Sequence, residues 1–261
     1  MALSACGDDP DPAPNPDPSS SGVQRPACAK SAHSETDDYP ASLLVVAAAF
    51  SGEGWGTVTK VSAPVNTYCP EDAIEINGDG TKLYFLGMPD VGANLSNDQQ
   101  VSFPVGTYVA TRTGSDKGVF GTPIYFDLRQ GVDKSADGEL SFSPDGTKVY
   151  FHSNRAANLG DTTDYLDIYS ADLVNGVPGV GTNLGTPVNS TSPDGEMAIH
   201  PNGTTLYFAS HRPGGLGQAD LYRSAWNGST WSAPIALPFV NTTEDEKMPC
   251  FTADGNTMYY V

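Results

Sequence analysis

Four times along the chain an apolar stretch, a short polar break and a second apolar stretch follow one another. The copies are EINGDGTKLYFLG (75–87), SFSPDGTKVYFHS (141–153), AIHPNGTTLYFAS (198–210) and CFTADGNTMYYV (250–261). Each break carries Asp-Gly or Asn-Gly, which reaches positive φ at little steric cost, and each second stretch is rich in Tyr, Phe or Val. The pattern predicts a β-hairpin in every copy. The turn glycines Gly80, Gly146, Gly203 and Gly255 are 66, 57 and 52 residues apart, so the hairpins belong to a repeat.

A second similarity lies between the hairpins. DIYSADL from Asp167 matches DLYRSAW from Asp220, and NGSTWSAPIALPFVNT ending at Thr242 echoes GEGWGTVTKVSAPVNT ending at Thr67. Val-Asn-Thr or Val-Asn-Ser closes the unit at 65–67, 188–190 and 240–242. Each period therefore holds four short strands, the content of one propeller blade. Strands such as Leu-Tyr-Phe are apolar at consecutive positions rather than alternating, as expected of a sheet covered on both faces.

The segments SFSPDGTKVYFHSNR, ASHRPGGLGQADLYRSAWNGSTWSAPIALP and EDEKMPCFTADGNTMYYV resemble the TolB-like β-propeller repeat, a relative of the WD repeat found in bacterial envelope proteins. The resemblance covers residues 41–261. The first blade departs from it, with Gly87-Met88-Pro89 where Ser-Asn-Arg stands in the second. Before Thr67 lie only a third and a fourth strand (LLVVAAAF and TVTKVSAP), and after Asp245 only a first and a second. The expected architecture is all-β, a propeller of four-stranded antiparallel blades, with four blades closed by N- and C-terminal half-blades. Val261 falls where the repeat would continue with Ser-x-Arg, so a C-terminally truncated six-bladed propeller is the alternative.

Composition adds constraints. The chain has 261 residues and a formal net charge of −18, which argues against a nucleic-acid binder, since that function needs a basic face. With 28 Gly and 21 Pro, turns are many and helices should be few; 38% hydrophobic residues still suffice for a core. No stretch approaches the ~20 apolar residues of a membrane-spanning helix. Residues 1–40 read as a lipobox remnant and a Pro/Asp/Ser-rich tether. Leu3-Ser4-Ala5-Cys6 resembles a bacterial lipobox with Cys6 as the lipidation site, although only Met1 and Ala2 precede it. Gly7–Pro26 alternates proline with polar residues and predicts an extended, hydrated spacer. Gly7 after the cysteine implies, by resemblance to enterobacterial sorting, an outer-membrane anchor facing the periplasm or the surface. Membrane contact would then run only through lipid, and the protein is read as a monomer.

Candidate site residues come from the repeat. Five positions before Ile76, Phe142, Ile199 and Phe251 stands a carboxylate each time: Glu71, Asp137, Asp194 and Glu246. Around one channel mouth these would concentrate negative potential, attract a cation such as Ca²⁺, or hold a basic segment of a partner. The alternative is that each caps local backbone amides or pairs with Arg155 or Arg212. Asp167 and Asp220 are read as turn locks. The long irregular stretch MPDVGANLSNDQQVSFPVG (88–106) offers Asp98 and Gln99 for sugar hydroxyls and Phe103 for stacking, or is a solvated insertion. His200 occupies a turn position and is expected to bond it. No histidine pair has ligand-like spacing, and no nucleophile elbow, phosphate loop or zinc-protease motif occurs. No cofactor is implied. With Cys6 lipidated, Cys28, Cys69 and Cys250 allow one disulfide, pairing Cys28 with Cys69 or Cys69 with Cys250.

These features support a non-catalytic envelope module presenting an acidic propeller face to an envelope protein or a cell-wall or surface glycan. The competing reading is a polysaccharide lyase or glycosidase built on a propeller. An enzyme should show a channel pocket with clustered titratable groups in unequal environments; a binding module should show a broad loop face.

Overall fold

The computed structural model describes Val61, Val65 and residues 71–87, 106–114, 118–131, 135–155 and 166–261. The first sheet runs β1 (Glu71–Ile76), β2 (Lys82–Gly87), β3 (Gly106–Thr111), β4 (Ile124–Tyr125). In the second, β5 (Asp137–Phe142), β6 (Lys148–Ser153) and β7 (Asp167–Val174) are followed by β8 (Val177–Pro178) and β9 (Thr182–Asn183), both of which pair with β7. The third runs β10 (Asp194–Ile199), β11 (Thr205–Ser210), β12 (Asp220–Ala225), β13 (Ile235–Ala236), and a two-stranded sheet follows, β14 (Cys250–Phe251) with β15 (Met258–Tyr259). All pairings are antiparallel and, apart from β7 with β9, join neighbours in sequence, and no helix occurs among the described residues. The protein is an all-β propeller of four-stranded antiparallel blades.

The hairpins fall where the repeat puts them. Gly80, Gly146, Gly203 and Gly255 have φ between 66° and 72°, the left-handed geometry for which the Asp-Gly and Asn-Gly pairs are suited. In the first three hairpins the consecutive apolar residues of the second strands are largely buried on both faces, whereas Tyr259 and Tyr260 of the last are exposed. Tyr84, Val109, Phe126 and Leu128 of the first blade pack with Leu140, Val149, Phe151 and Tyr169 of the second. On the second blade's other face, Tyr150, Ile168 and Val188 meet Met197, Leu206 and Phe208 of the third. Leu83, Phe85 and Tyr108 form a further cluster on the first blade with Val65.

The Val-Asn-Thr/Ser element has a definite task. Asn189 donates to the Ile168 carbonyl and accepts from the Ile168 amide, both at 2.9 Å, and Asn241 does the same for Leu221 at 3.0 Å. A side-chain amide thus completes the edge of the third strand at its inner end, satisfying the Ile168 and Leu221 amides and sharing their carbonyls with the Leu184 and Leu237 amides of the outer segment. The adjacent Val188 is fully buried between blades. Residues 1–60, including the lipobox and the segments expected to close the ring, lie outside the described residues.

Candidate central channel

The four inner strands meet around one cavity of about 450 Å³, lined by residues 73–79 of the first blade, 139–146 of the second, 196–199 and 201 of the third and 248–251 and 253 of the last sheet. Its shape follows from a bulge that the inner strands of the first three blades carry at the same place. Pairing slips between Asp72 and Glu75, Gly138 and Ser141, and Gly195 and Ala198. The residue in each slip is left-handed, Ala73 (φ 52°), Glu139 (48°) and Glu196 (47°), and so is Met248 (51°) at the corresponding place before β14. A non-glycine residue there costs on the order of 1–3 kcal/mol, and the strain persists only because the ladder on either side fixes it. All four of these residues line the cavity, so the bulge adds two carboxylates, Glu139 and Glu196, to its wall.

Electrostatics inside the cavity are uneven. The Glu196 carboxyl is pushed up to about 7, first by burial and then by the charge of Glu139. Glu75, one layer further along the wall, is pushed up to about 8 by burial and by the neighbouring Cys250 thiol. His152 Nδ1 lies 3.3 Å from Glu139 Oε2. Burial opposes the charging of this imidazole, yet the carboxylates of Glu139, Glu196 and Asp137 together outweigh it and raise its pKa. Gly195 of the next blade lies over the ring, close enough that a Cβ there would meet Nδ1 at 3.0 Å. Glu139, Glu196 and His152 were not singled out from the sequence. A signal existed, since a glutamate stands two residues after the strand-opening carboxylate in both Asp-Gly-Glu copies.

The strand-opening carboxylates themselves sit outside that wall. Asp137 is 1% exposed; it accepts from the Ser135 hydroxyl at 2.7 Å and from the Arg155 guanidinium at 2.5 Å. Asp194 is fully buried and accepts from the Ser190 amide and hydroxyl and, at 2.7 Å, from Arg212. Glu246 accepts from the Thr242 amide at 2.9 Å and from its hydroxyl. Glu71 is partly buried at the head of β1. Asp220 accepts from the Leu216 and Gly217 amides of the Gly-rich loop, and Asp167 accepts from Asn183. His200 Nδ1 accepts from the Asn202 amide within its turn, and Nε2 lies 3.0 Å from the Gly255 carbonyl. Asp98, Gln99, Phe103, Cys6, Cys28 and Cys69 lie outside the described residues. Among the described residues no group of three or more His, Cys, Asp or Glu side chains is arranged to hold a metal ion.

No protein-family model matches the chain, and no curated protein does. Solved structures similar to it include TolB of Agrobacterium tumefaciens, 20% identical over 80% of this chain with a TM-score of 0.48. TolB of Acinetobacter baumannii is 17% identical over 75%, TM-score 0.45, and a periplasmic gluconolactonase of Pseudomonas aeruginosa is 12% identical over 79%, TM-score 0.43. The chain spans 59%, 38% and 54% of the length of these three proteins, respectively.

Proposed function

We propose that this protein is a non-catalytic binding module of the bacterial envelope whose acidic central channel receives a positively charged group of a protein partner. The observation that carries the reading is the pair Glu139 and Glu196, set into the cavity wall at strained backbone positions in two successive blades. Apolar neighbours such as Leu140, Met197 and Met248 lower the local dielectric, which strengthens attraction for a cation once it enters. The net charge of −18 adds long-range steering of the same sign. Envelope placement rests on the lipobox-like Leu3–Cys6 and the tether behind it, with Cys6 as the acylated residue. Asp98, Gln99 and Phe103 remain the groups best suited to a glycan at the same module.

The test is capture of envelope proteins on the immobilised full chain at pH 6 and pH 8, beside the double variant Glu139→Gln/Glu196→Gln. The reading predicts a basic partner that is retained better at pH 8, when Glu196 and Glu75 ionise, and lost in the variant. Equal capture by both chains overturns it.

One observation favours a second reading. Two carboxyls pushed up to about 7 and 8 share the cavity with a third that is tied to a histidine. Unequal carboxyls in one cavity are what general acid/base cleavage of a glycoside uses. Release of reducing ends from cell-wall or surface polysaccharide, abolished by Glu196→Gln, would establish that reading in place of the first.

A further inference from the structure

Asn-Gly occurs four times in the chain, at 77–78, 175–176, 202–203 and 227–228, and all four pairs lie among the described residues. In this dipeptide a backbone nitrogen attacks the preceding side chain with least hindrance, because glycine puts no Cβ in the way. Three of the four side chains are held away from that reaction by bonds to their own turns. Asn77 Oδ1 accepts from the Lys82 amide at 2.7 Å, and its Nδ2 donates to the Thr81 hydroxyl. Asn202 Oδ1 accepts from the Thr204 and Thr205 amides at 2.9 and 3.1 Å, and Asn227 Oδ1 from the Ser229 and Thr230 amides, both at 2.9 Å. At Asn202 the attacking group is tied as well, since the Gly203 amide donates to the His200 carbonyl at 2.8 Å.

Asn175 has none of these restraints. It is exposed, and neither its side chain nor the Gly176 amide makes a hydrogen bond among the described residues. Both turn residues have positive φ, 54° and 74°, so they form the tight two-residue turn between β7 and β8, with Val174 directly opposite Val177. β8 is only two residues long and pairs with β7 alone, so a turn closed by so short a ladder opens locally at small cost.

We propose that Asn175 is a site of spontaneous covalent modification, converting to aspartate and isoaspartate while the other three Asn-Gly pairs persist. The Gly176 backbone nitrogen gives up its proton and attacks Asn175 Cγ; a five-membered imide closes as the side-chain nitrogen leaves as ammonia. Water then opens the ring. Attack at Cγ gives aspartate, and attack at the backbone carbonyl gives isoaspartate, with the chain running through Cγ. One water is gained and one ammonia lost, and no oxidant or metal takes part. The first step is intramolecular, so access for a second molecule matters only when water meets the ring at exposed Asn175. Isoaspartate lengthens the chain within a turn of two residues, which undoes the pairing of Val174 with Val177, and either product adds a negative charge. Neither residue of the pair lines the channel, and the inference is independent of it.

The full chain is held at pH 8 and 37 °C for two weeks, digested and mapped by mass spectrometry, with isoaspartate told from aspartate by its fragmentation. Conversion at Asn175 is expected to run at least tenfold ahead of Asn77, Asn202 and Asn227, with isoaspartate in excess. In denaturing urea the four sites should convert within a few-fold of one another, because the fold alone separates them. Asn175→Gln, whose longer side chain closes its ring far more slowly, should leave that peptide unmodified. Equal rates at all four sites of the folded chain, earlier conversion at another site, or no conversion at Asn175 would overturn the proposal. A tenfold lead for Asn175 that persists in urea would place its cause in neighbouring sequence and overturn the part given to the fold.

Discussion

Replacing Glu75 by Gln should remove most of a pH dependence that the channel imposes on stability. In the unfolded chain this carboxyl loses its proton near its ordinary value of 4.5, whereas in the fold burial and then the Cys250 thiol hold it to about 8. Between those values the unfolded state binds fewer protons than the native state, so stability falls as pH rises. Each pH unit inside the gap is worth up to about 1.4 kcal/mol, and integration from pH 5 to pH 8 gives a loss on the order of 3 kcal/mol. Gln stays neutral throughout and fits the same space. Equilibrium urea unfolding at pH 5, 6.5 and 8 measures the effect. The wild type should lose stability steadily, and Glu75→Gln should retain only the smaller slope due to Glu196, whose raised value of about 7 acts in the same direction, and to His152, whose raised pKa does so too. An unaltered slope in the variant would refute the placement of Glu75 in the channel wall.

Other expectations concern the blades. Arg155→Met leaves buried Asp137 with only the more distant Arg129, 4.0 Å away, as a counter-ion and should cost about 3 kcal/mol by denaturant unfolding, against near-zero for Arg223→Met on an exposed position. Asn189→Ala strands the buried Ile168 amide, while the carbonyl keeps the Leu184 amide, and should cost about 1–3 kcal/mol in the same assay. Gly146→Val has open space for its side chain but a φ of +66°, so the loss of about 1–2 kcal/mol is purely backbone, visible as a lower thermal midpoint.

The blades were legible because hairpin turns and two-faced burial write themselves into local sequence. Asp-Gly and Asn-Gly stand at all four turns, and the Leu-Tyr-Phe type of strand is apolar at consecutive positions because blades cover it on both sides. The Val-Asn-Thr element was legible as a repeat, although the doubled hydrogen bond of Asn189 and Asn241 to a neighbouring strand shows only in three dimensions. The carboxylates at 71, 137, 194 and 246 were found by spacing, yet spacing does not tell which oxygen meets an arginine and which residue reaches the channel. That depends on the bulge two residues on, where Glu139 and Glu196 adopt a left-handed conformation ordinarily associated with glycine. Their raised or paired states arise from residues far apart in sequence, such as Glu75 beside Cys250, and no local pattern encodes them.

The central claim is that the partner enters the channel framed by the inner strands. Hydrogen–deuterium exchange on the captured complex tests it most directly. The account predicts slowed exchange in residues 73–79, 139–146, 196–199 and 248–251, four segments that line the cavity, with little change along β4, β9 and β13. Protection confined to those outer strands, with the four inner segments exchanging as in the free protein, would contradict it.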